Sequence, residues 1–265
     1  MNNTADRAEG KRHLPYGIVV LVMGTLVVFG ALGLARFGYS MLLAPMQAGL
    51  GMDNTQAGLL ATANLVGYLV LSVLGGALAS RYGPRAVIAA GLALAGMAMI
   101  LTGLAGGMLS AAFWRCVTGI GSGASNVPVM GLLAAWFAPR RRGLAAGIGV
   151  AGSSFALILL GPGVPRLLAL FGDAGWRVCW GILGSITVLL AGASFLVLRN
   201  HPEDVGELPV GAQPGDPAPA PRTSPLRWAS VYRSWTVWHI GLVYIAFGFS
   251  YIIYLTFFVK YLMSG

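Results

Sequence analysis

Two arginines lie inside long apolar runs, where a charge is costly. Arg36 interrupts the first run and Arg115 lies in the fourth. A charged side chain at the centre of a membrane helix costs about 2.5 to 3.5 kcal/mol on insertion scales, so such a residue usually faces a cavity or a partner. All Asp and Glu residues fall outside these runs. Two guanidinium groups without a neighbouring carboxylate indicate recognition of a small anion.

Amide and hydroxyl groups accompany the arginines in the same runs. Asn64 and Tyr68 lie one helical turn apart and share a face of the second run, and Asn126 lies in the fourth. Buried groups of this kind either join helices or contact a substrate, and Arg36 alternatively snorkels to the outer interface. The candidate substrate-binding residues are therefore Arg36, Arg115, Asn64, Tyr68 and Asn126.

Composition identifies the class of protein. Of the 265 residues, 57% are hydrophobic and 9% are charged, with a mean hydropathy of +0.76. Soluble domains carry about 25% charged residues, so this chain is predicted to be an integral membrane protein in a lipid bilayer. The net charge of +9 comes from arginines clustered between apolar runs, which argues against a nucleic-acid partner. Cys116 and Cys179 are expected to be buried free thiols, and we expect no metal and no cofactor.

The apolar runs predict the elements that position these residues. A polar, basic tail covers residues 1–15, and a six-helix transmembrane region covers residues 16–199. The predicted spans are roughly 16–46, 55–79, 86–104, 109–137, 143–165 and 176–198, each long enough for the roughly 20 residues that cross a bilayer. Residues 200–233 are predicted to be a linker, extended and mobile over the Pro-, Gly- and Ala-rich stretch 200–225. A seventh transmembrane helix is predicted over 234–265.

Basic residues are distributed unequally between the two ends of the predicted spans. One end receives twelve of them, whereas the other receives at most Arg166, Arg177 and Lys260. By the positive-inside rule, the N-terminus and the linker are cytoplasmic. The twelve residues are Arg7, Lys11, Arg12, Arg81, Arg85, Arg140, Arg141, Arg142, Arg199, Arg222, Arg227 and Arg233.

The connector between the second and third spans carries a motif with fixed spacing. It reads Gly76, Leu78, Ala79, Ser80, Arg81, Tyr82, Gly83 and Arg85. This stretch resembles the signature loop of the major facilitator superfamily, except that Ser80 stands where the family has an acidic residue. The resemblance implies a gating role for Gly76, Ser80, Arg81, Gly83 and Arg85. Because a serine cannot hold a charge pair, the family's cytoplasmic charge lock is expected to be weaker here.

Glycines in the fourth and fifth spans predict close helix packing. Arg115-x-x-x-Gly119-x-Gly121-x-Gly123 resembles the superfamily's fourth-helix motif, which implies proton coupling or helix architecture for Arg115. Gly143 and Gly147 form another small-residue pair. Gly161 and Pro162 resemble part of the antiporters' fifth-helix motif, without its upstream glycine spacing. Packing positions are therefore predicted at Gly119, Gly121, Gly123, Gly161 and Pro162, and Pro162 is expected to kink or end its helix.

The whole chain resembles the first half of a major facilitator transporter entering its second half. A complete member has two six-helix halves, so the chain is expected to be truncated and to lack the rest of the second half. The resemblance implies an all-α transporter of the bacterial inner membrane that moves a small solute by alternating access. An organic anion such as a monocarboxylate is the predicted substrate, with proton coupling left open.

Other classes of function fit the sequence less well. A multidrug or metabolite efflux carrier is the alternative within the superfamily, although drug efflux favours an acidic residue in the cavity. A seven-helix receptor-like protein normally places its N-terminus outside, against the charge distribution. An enzyme would need His, Asp, Ser or Cys clustered at one depth in the membrane, and the sequence shows no such cluster.

Overall fold

The computed structural model describes residues 15–213, 233–247 and 250. In the first of these ranges the chain forms six helices and no named strand. By length and composition, five apolar stretches can cross a membrane, the last of which comprises α5 and α6 together. The protein is thus an all-α, multi-pass membrane protein. The helices are α1 Tyr16–Leu50, α2 Asn54–Tyr82, α3 Pro84–Gly103, α4 Met108–Trp136, α5 Arg142–Phe171 and α6 Gly175–Val197.

Helix ends follow the sequence signals except at three prolines. Asp53 caps α2, because its carboxylate accepts the Gln56 N–H at 2.7 Å. Gly83, with φ of +85°, separates α2 from α3. The predicted ends near Pro45 and Pro165 are wrong, since α1 continues to Leu50 and α5 runs through Pro162 and Pro165 to Phe171. A proline removes one backbone hydrogen bond, which a long packed helix tolerates.

Helix α4 is the central element of residues 15–213. It packs between α2 and α3, while α3 also contacts α6 and α1 contacts α5. In the most apolar 18 residues of α4, 61% are buried, whereas in the most apolar 18 residues of α2 only 22% are buried. Helices α2 and α5 present apolar side chains such as Leu69, Val73 and Ile158 outward. Those outer faces suit lipid or another apolar surface.

Residues 199–213, here called the strap, run back across the helix ends near Tyr16. The Val210 N–H donates to the Trp136 carbonyl at 2.9 Å, and the Ala138 N–H donates to the Val210 carbonyl at 3.2 Å. The Glu207 carboxylate accepts the Tyr16 N–H at 2.8 Å. The prediction of an extended, mobile segment from residue 200 is therefore wrong for residues 200–213, because backbone pairing and apolar contacts hold them. Residues 214–232 of the predicted linker lie outside the described residues.

Glu207→Ala should loosen the strap. The carboxylate satisfies one of the unpaired N–H groups at the start of α1, so its loss is expected to lower the free energy of unfolding by about 1 kcal/mol. Thermal unfolding and limited proteolysis of the strap in detergent would measure the effect. Glu207→Gln keeps an acceptor and should lose less than half as much. Wild-type melting and cleavage rates in Glu207→Ala would contradict the assignment.

A second compact unit comprises residues 217–265. Within it, α7 covers Trp235–Phe247 and is apolar. The rings of Trp235 and His239 contact each other edge to face at 5.0 Å. The remainder of the predicted seventh span, apart from residue 250, lies outside the described residues, so its predicted length stays a prediction.

Candidate substrate-binding site

Helix α1 widens where it carries Arg36. Residues Phe29–Phe37 form a π-helical segment, here called the wide turn. Such segments are rare and often lie at functional sites. Gly33 allows α5 to approach it closely, because a Cβ on Gly33 would overlap the Cβ of Ala156. The wide turn presents Arg36 at its last turn, with Ala35 buried beside it.

Arg36 is half-buried and faces Tyr68 on α2. Its guanidinium carbon lies 5.8 Å from the centre of the Tyr68 ring, within the range of a cation–π contact. In the described part of the chain, Arg36 has neither an ion pair nor a hydrogen bond from its guanidinium group. The positive charge is therefore available to a ligand.

Tyr68 is held in turn by Asn126 on α4. The Asn126 Nδ2 donates to the Tyr68 hydroxyl oxygen at 2.9 Å. Because the oxygen accepts this hydrogen bond, the tyrosine's own O–H remains able to donate. Arg36, Tyr68 and Asn126 thus form one chain of contacts across α1, α2 and α4, in which the first two groups have N–H or O–H donors left to offer.

Arg115 has a different environment from Arg36. Its side chain is 1% exposed, and its NH1 donates to the Ala35 carbonyl at 2.8 Å. Its guanidinium carbon lies 4.6 Å from the Tyr39 ring centre and 5.1 Å from that of Trp180. The described contacts of Arg115 are therefore with the protein itself.

Asn64 also contacts the protein backbone rather than open space. Its Nδ2 donates to the Arg115 carbonyl at 3.0 Å, and its side chain is buried. Asn64 and Tyr68 share a face of α2, as their spacing predicts, yet the first joins α2 to α4 whereas the second faces Arg36. Direct substrate contact by Asn64 or Arg115 stays a prediction that these contacts do not favour.

Glycines of α4 lie against the backbone of the candidate site. A Cβ on Gly119 would overlap the Asn64 carbonyl oxygen, and one on Gly123 would approach the Tyr68 carbonyl oxygen at 2.5 Å. Gly121 faces α3 instead, against the Gly91 carbonyl. These close approaches bring α2 and α3 to α4.

The close packing predicted at Gly161 of α5 has no counterpart among the described residues and stays a prediction. A Cβ there would meet no described heavy atom within 4 Å, and the same holds for Gly143 and Gly147. Pro162 beside it is exposed. Helix α5 instead approaches α1 through Gly152, where a Cβ would overlap the Thr25 carbonyl oxygen.

Only part of the connector motif contacts another helix. The Arg85 Nε donates to the Phe195 carbonyl, and its guanidinium carbon lies 4.5 Å from the Phe195 ring centre. Arg81 lies over its neighbour Tyr82 at 5.4 Å. The Ser80 hydroxyl donates to the Ala77 carbonyl at 2.8 Å. The motif therefore fastens α3 to α6 through Arg85, and gating stays a prediction.

Gly76 and Gly83 of the same motif differ in their surroundings. A Cβ on Gly76 would meet no described atom within 4 Å, whereas one on Gly83 would lie 2.8 Å from the Asn200 Nδ2. The Asn200 side-chain oxygen also accepts the Arg85 N–H at 2.9 Å. Gly83 therefore lies where the connector meets the strap.

Three features of the site were not predicted from the sequence. They are the wide turn, Tyr39 and Trp180. The small residues Gly30, Ala31 and Gly33 before Arg36 were the available signal, because they permit close contact with neighbouring helices.

Comparison with known proteins decides the family. The Major Facilitator Superfamily profile matches residues 25–264. The chain belongs to the Major Facilitator Superfamily. The predicted membership is thus confirmed, and the superfamily and the relatives described next are transporters rather than enzymes.

Relatives of this superfamily member carry names of anion transporters. It is 26% identical over 260 residues to a probable sulfoacetate transporter of Cupriavidus necator, covering 96% of this chain and 58% of that protein. It is 33% identical over 156 residues to monocarboxylate transporter 11 of Homo sapiens, covering 58% of this chain and 30% of that protein. The chain thus spans less than two thirds of the length of these relatives.

Solved structures show the same fold. A bacterial homologue of the human lysosomal transporter Spinster, in an inward-facing and unoccupied conformation, matches with a TM-score of 0.60 and 20% identity over 71% of this chain and 44% of that one. The xylose transporter of E. coli in a partially occluded, inward-open conformation matches with a TM-score of 0.57 and 17% identity, over 70% and 50% of the two chains. The all-α major facilitator fold is therefore confirmed.

Proposed function

We propose that the transporter containing this chain moves a small organic anion across the membrane by alternating access, with Arg36 as the anion receptor of this half. The observation that carries the proposal is the unpaired guanidinium group of Arg36 in the described part of the chain. A buried or half-buried cation needs a partner, since an isolated charge is costly in an apolar surrounding. A carboxylate or sulfonate supplies that partner when it binds.

Tyr68 supports recognition of an oxyanion. Its hydroxyl is oriented by Asn126, and its ring lies beside Arg36. An oxyanion at Arg36 would accept charge-assisted hydrogen bonds from the guanidinium group and one from the tyrosine. Because the Arg115 NH1 donates to the Ala35 carbonyl, Arg36 is the arginine of the described helix interiors whose guanidinium group makes no hydrogen bond. A substrate with a single anionic group, such as a monocarboxylate, is therefore favoured for this half.

The names of the relatives support the same substrate class. They include sulfoacetate and monocarboxylate transporters, and sulfonates and carboxylates share the oxyanion chemistry that arginine binds. An efflux carrier for cationic drugs would be expected to offer a carboxylate, and the described helix interiors hold none. The anion proposal therefore stands ahead of the efflux alternative.

We propose that a second six-helix half completes the pathway, and that α7 is its first helix. The arginines of the connectors and strap support an N-terminus in the cytoplasm of a bacterium, with the protein in its inner membrane. Proton coupling would then use either a group in the second half or the substrate carboxylate itself.

Uptake into proteoliposomes by the full-length transporter tests the proposal. Saturable uptake of labelled acetate, lactate or sulfoacetate is expected, with mutual competition between the anions. Xylose and tetraethylammonium serve as neutral and cationic controls and should neither enter nor compete. Saturable uptake of either control, with no uptake of the anions, would overturn the proposed function.

A further inference from the structure

We propose that Arg115 is a positioning residue for anion binding: it holds the wide turn of α1 through the Ala35 carbonyl and so aims Arg36 at Tyr68. The inference rests on the proposed function, because it assigns how the anion receptor is held. It assigns Arg115 no contact with the substrate.

The hydrogen bond acts next to the receptor. The Arg115 NH1 reaches the carbonyl of Ala35, the residue directly before Arg36. In the wide turn, backbone hydrogen bonds join residues five apart rather than four apart as in an α-helix, so its carbonyls lie out of the regular register. An external donor at Ala35 therefore favours the wide form over the α-helical form. Loss of the wide form would rotate Arg36 away from its present direction.

The Arg115 side chain is itself rigidly placed. Its guanidinium group packs against the rings of both Tyr39 and Trp180. The Tyr39 hydroxyl donates to the Ala57 carbonyl at 2.7 Å, and the Trp180 Nε1 donates to the Met46 sulfur at 3.4 Å. Both rings are buried. A planar group that packs against two fixed rings has little freedom to turn, which suits a positioning role.

The backbone of Arg115 fixes the other partner of Arg36. Its carbonyl accepts the Asn64 Nδ2, and Asn64 lies one turn from Tyr68 on α2. Gly119 lets α2 pack directly on α4 at this level. The same residue therefore connects α4 to the helix that carries Arg36 and to the helix that carries Tyr68. The relative position of the two receptor groups depends on both links.

Polar links between α1 and α4 are otherwise weak. Among the described residues, Arg115 to Ala35 is the side-chain hydrogen bond that joins these two helices. Three buried polar atoms of α4, Arg115 Nε, Ser122 Oγ and Asn126 Oδ1, have no hydrogen-bond partner in the described residues. Ser122 lies 7 residues after Arg115 and Asn126 lies 4 residues after Ser122, so the three residues share one face of α4. Removing the Arg115 bond would leave this interface without a comparable directional contact.

Arg115→Lys tests the inference with a matched control. Lysine keeps the charge but lacks the planar fork that the two rings hold. The KM for anion uptake should rise about tenfold or more, as expected for loss of a hydrogen bond to a charged group that sets the receptor geometry. Arg177 offers the same chemistry elsewhere, since its NH1 donates to the Gly103 and Ala105 carbonyls and it stacks on Trp176 at 4.2 Å. Arg177→Lys should leave the KM unchanged.

A double-mutant cycle separates positioning from a purely structural role. In an Arg36→Lys background, Arg115→Lys should add little to the KM, because both changes act through one group. Independent, additive effects would overturn the inference. The inference would also be overturned if Arg115→Lys lowered the amount of folded protein and left the KM unchanged. If Arg115→Lys yields no folded protein, Tyr39→Leu removes one side of the stack, and an unchanged KM in that variant would contradict the inference.

The two proposals fail in different ways. If Arg36→Ala leaves anion uptake intact, Arg36 is not the anion receptor, and that part of the proposed function is wrong whatever Arg115 does. If Arg36 is required and Arg115→Lys leaves the KM unchanged, the proposed function stands and the positioning inference is wrong.

Discussion

Arg36→Ala should abolish saturable uptake of organic anions by the full-length transporter. Among the described residues, the half-buried Arg36 guanidinium group makes neither an ion pair nor a hydrogen bond, and it lies over the Tyr68 ring. A hydrogen bond to a charged group contributes about 1.5 to 3 kcal/mol, and a bidentate arginine makes two. Losing both corresponds to more than a hundredfold in affinity. Initial uptake rates over a range of anion concentrations would measure the effect.

Two control variants show whether the effect belongs to the site. Arg166→Ala removes an exposed arginine of α5 and should transport as wild type does. Arg36→Lys keeps the charge without the planar fork, so we expect a raised KM with uptake retained. Wild-type kinetics in Arg36→Ala, at equal amounts of folded protein, would remove Arg36 from the binding site.

Gly119→Val should destabilise the six-helix bundle. The new Cβ would overlap the Asn64 carbonyl oxygen and lie 2.9 Å from the Tyr68 nitrogen, both of which belong to the backbone of α2. Backbone atoms cannot rotate away as a flexible side chain can, so the two helices must separate. Overpacking of a core typically costs about 1 to 3 kcal/mol, and a backbone clash lies at the upper end. The yield of monodisperse protein and the melting temperature would both fall.

Gly161→Val is the matched control for this prediction. It adds the same side chain to an apolar helix, where a Cβ would meet no described atom within 4 Å. The control should purify and melt as wild type does. Equal behaviour of the two variants would show that the α2–α4 contact tolerates separation, and it would contradict the packing described for Gly119.

The sequence predicts the helices well because the membrane itself imposes their length. An apolar run bounded by arginines has few alternatives to a spanning helix, since its backbone groups must be satisfied internally. The Gly83-Pro84 turn is likewise local chemistry. Pro162 shows the limit of such signals, because α5 continues past it. Whether a proline ends a helix depends on what packs around it, and the sequence does not show this.

The candidate site depends on contacts between residues far apart in sequence. Arg36 and Arg115 look alike as buried charges, but one faces Tyr68 while the other bonds to Ala35, 80 residues away. Helical periodicity predicts that Asn64 and Tyr68 share one face of α2. It does not show that Asn64 bonds to the Arg115 backbone of α4 whereas Tyr68 bonds to the Asn126 side chain. The small residues before Arg36 signal close packing but do not specify the wide turn, which contacts α4 and α5. These properties are tertiary, so sequence patterns alone do not show them.

The strap also determines when the bundle closes during synthesis. The Tyr16 N–H bonds to Glu207, 191 residues later in the chain, and the Tyr16 hydroxyl bonds to Val197. A ribosome adds about 5 to 20 residues per second. Tyr16 is therefore synthesised on the order of ten seconds or more before Glu207. Until then the N-terminal end of α1 has neither of these contacts. Closure of this end is therefore among the last steps of assembly, and it waits until all six helices have been made.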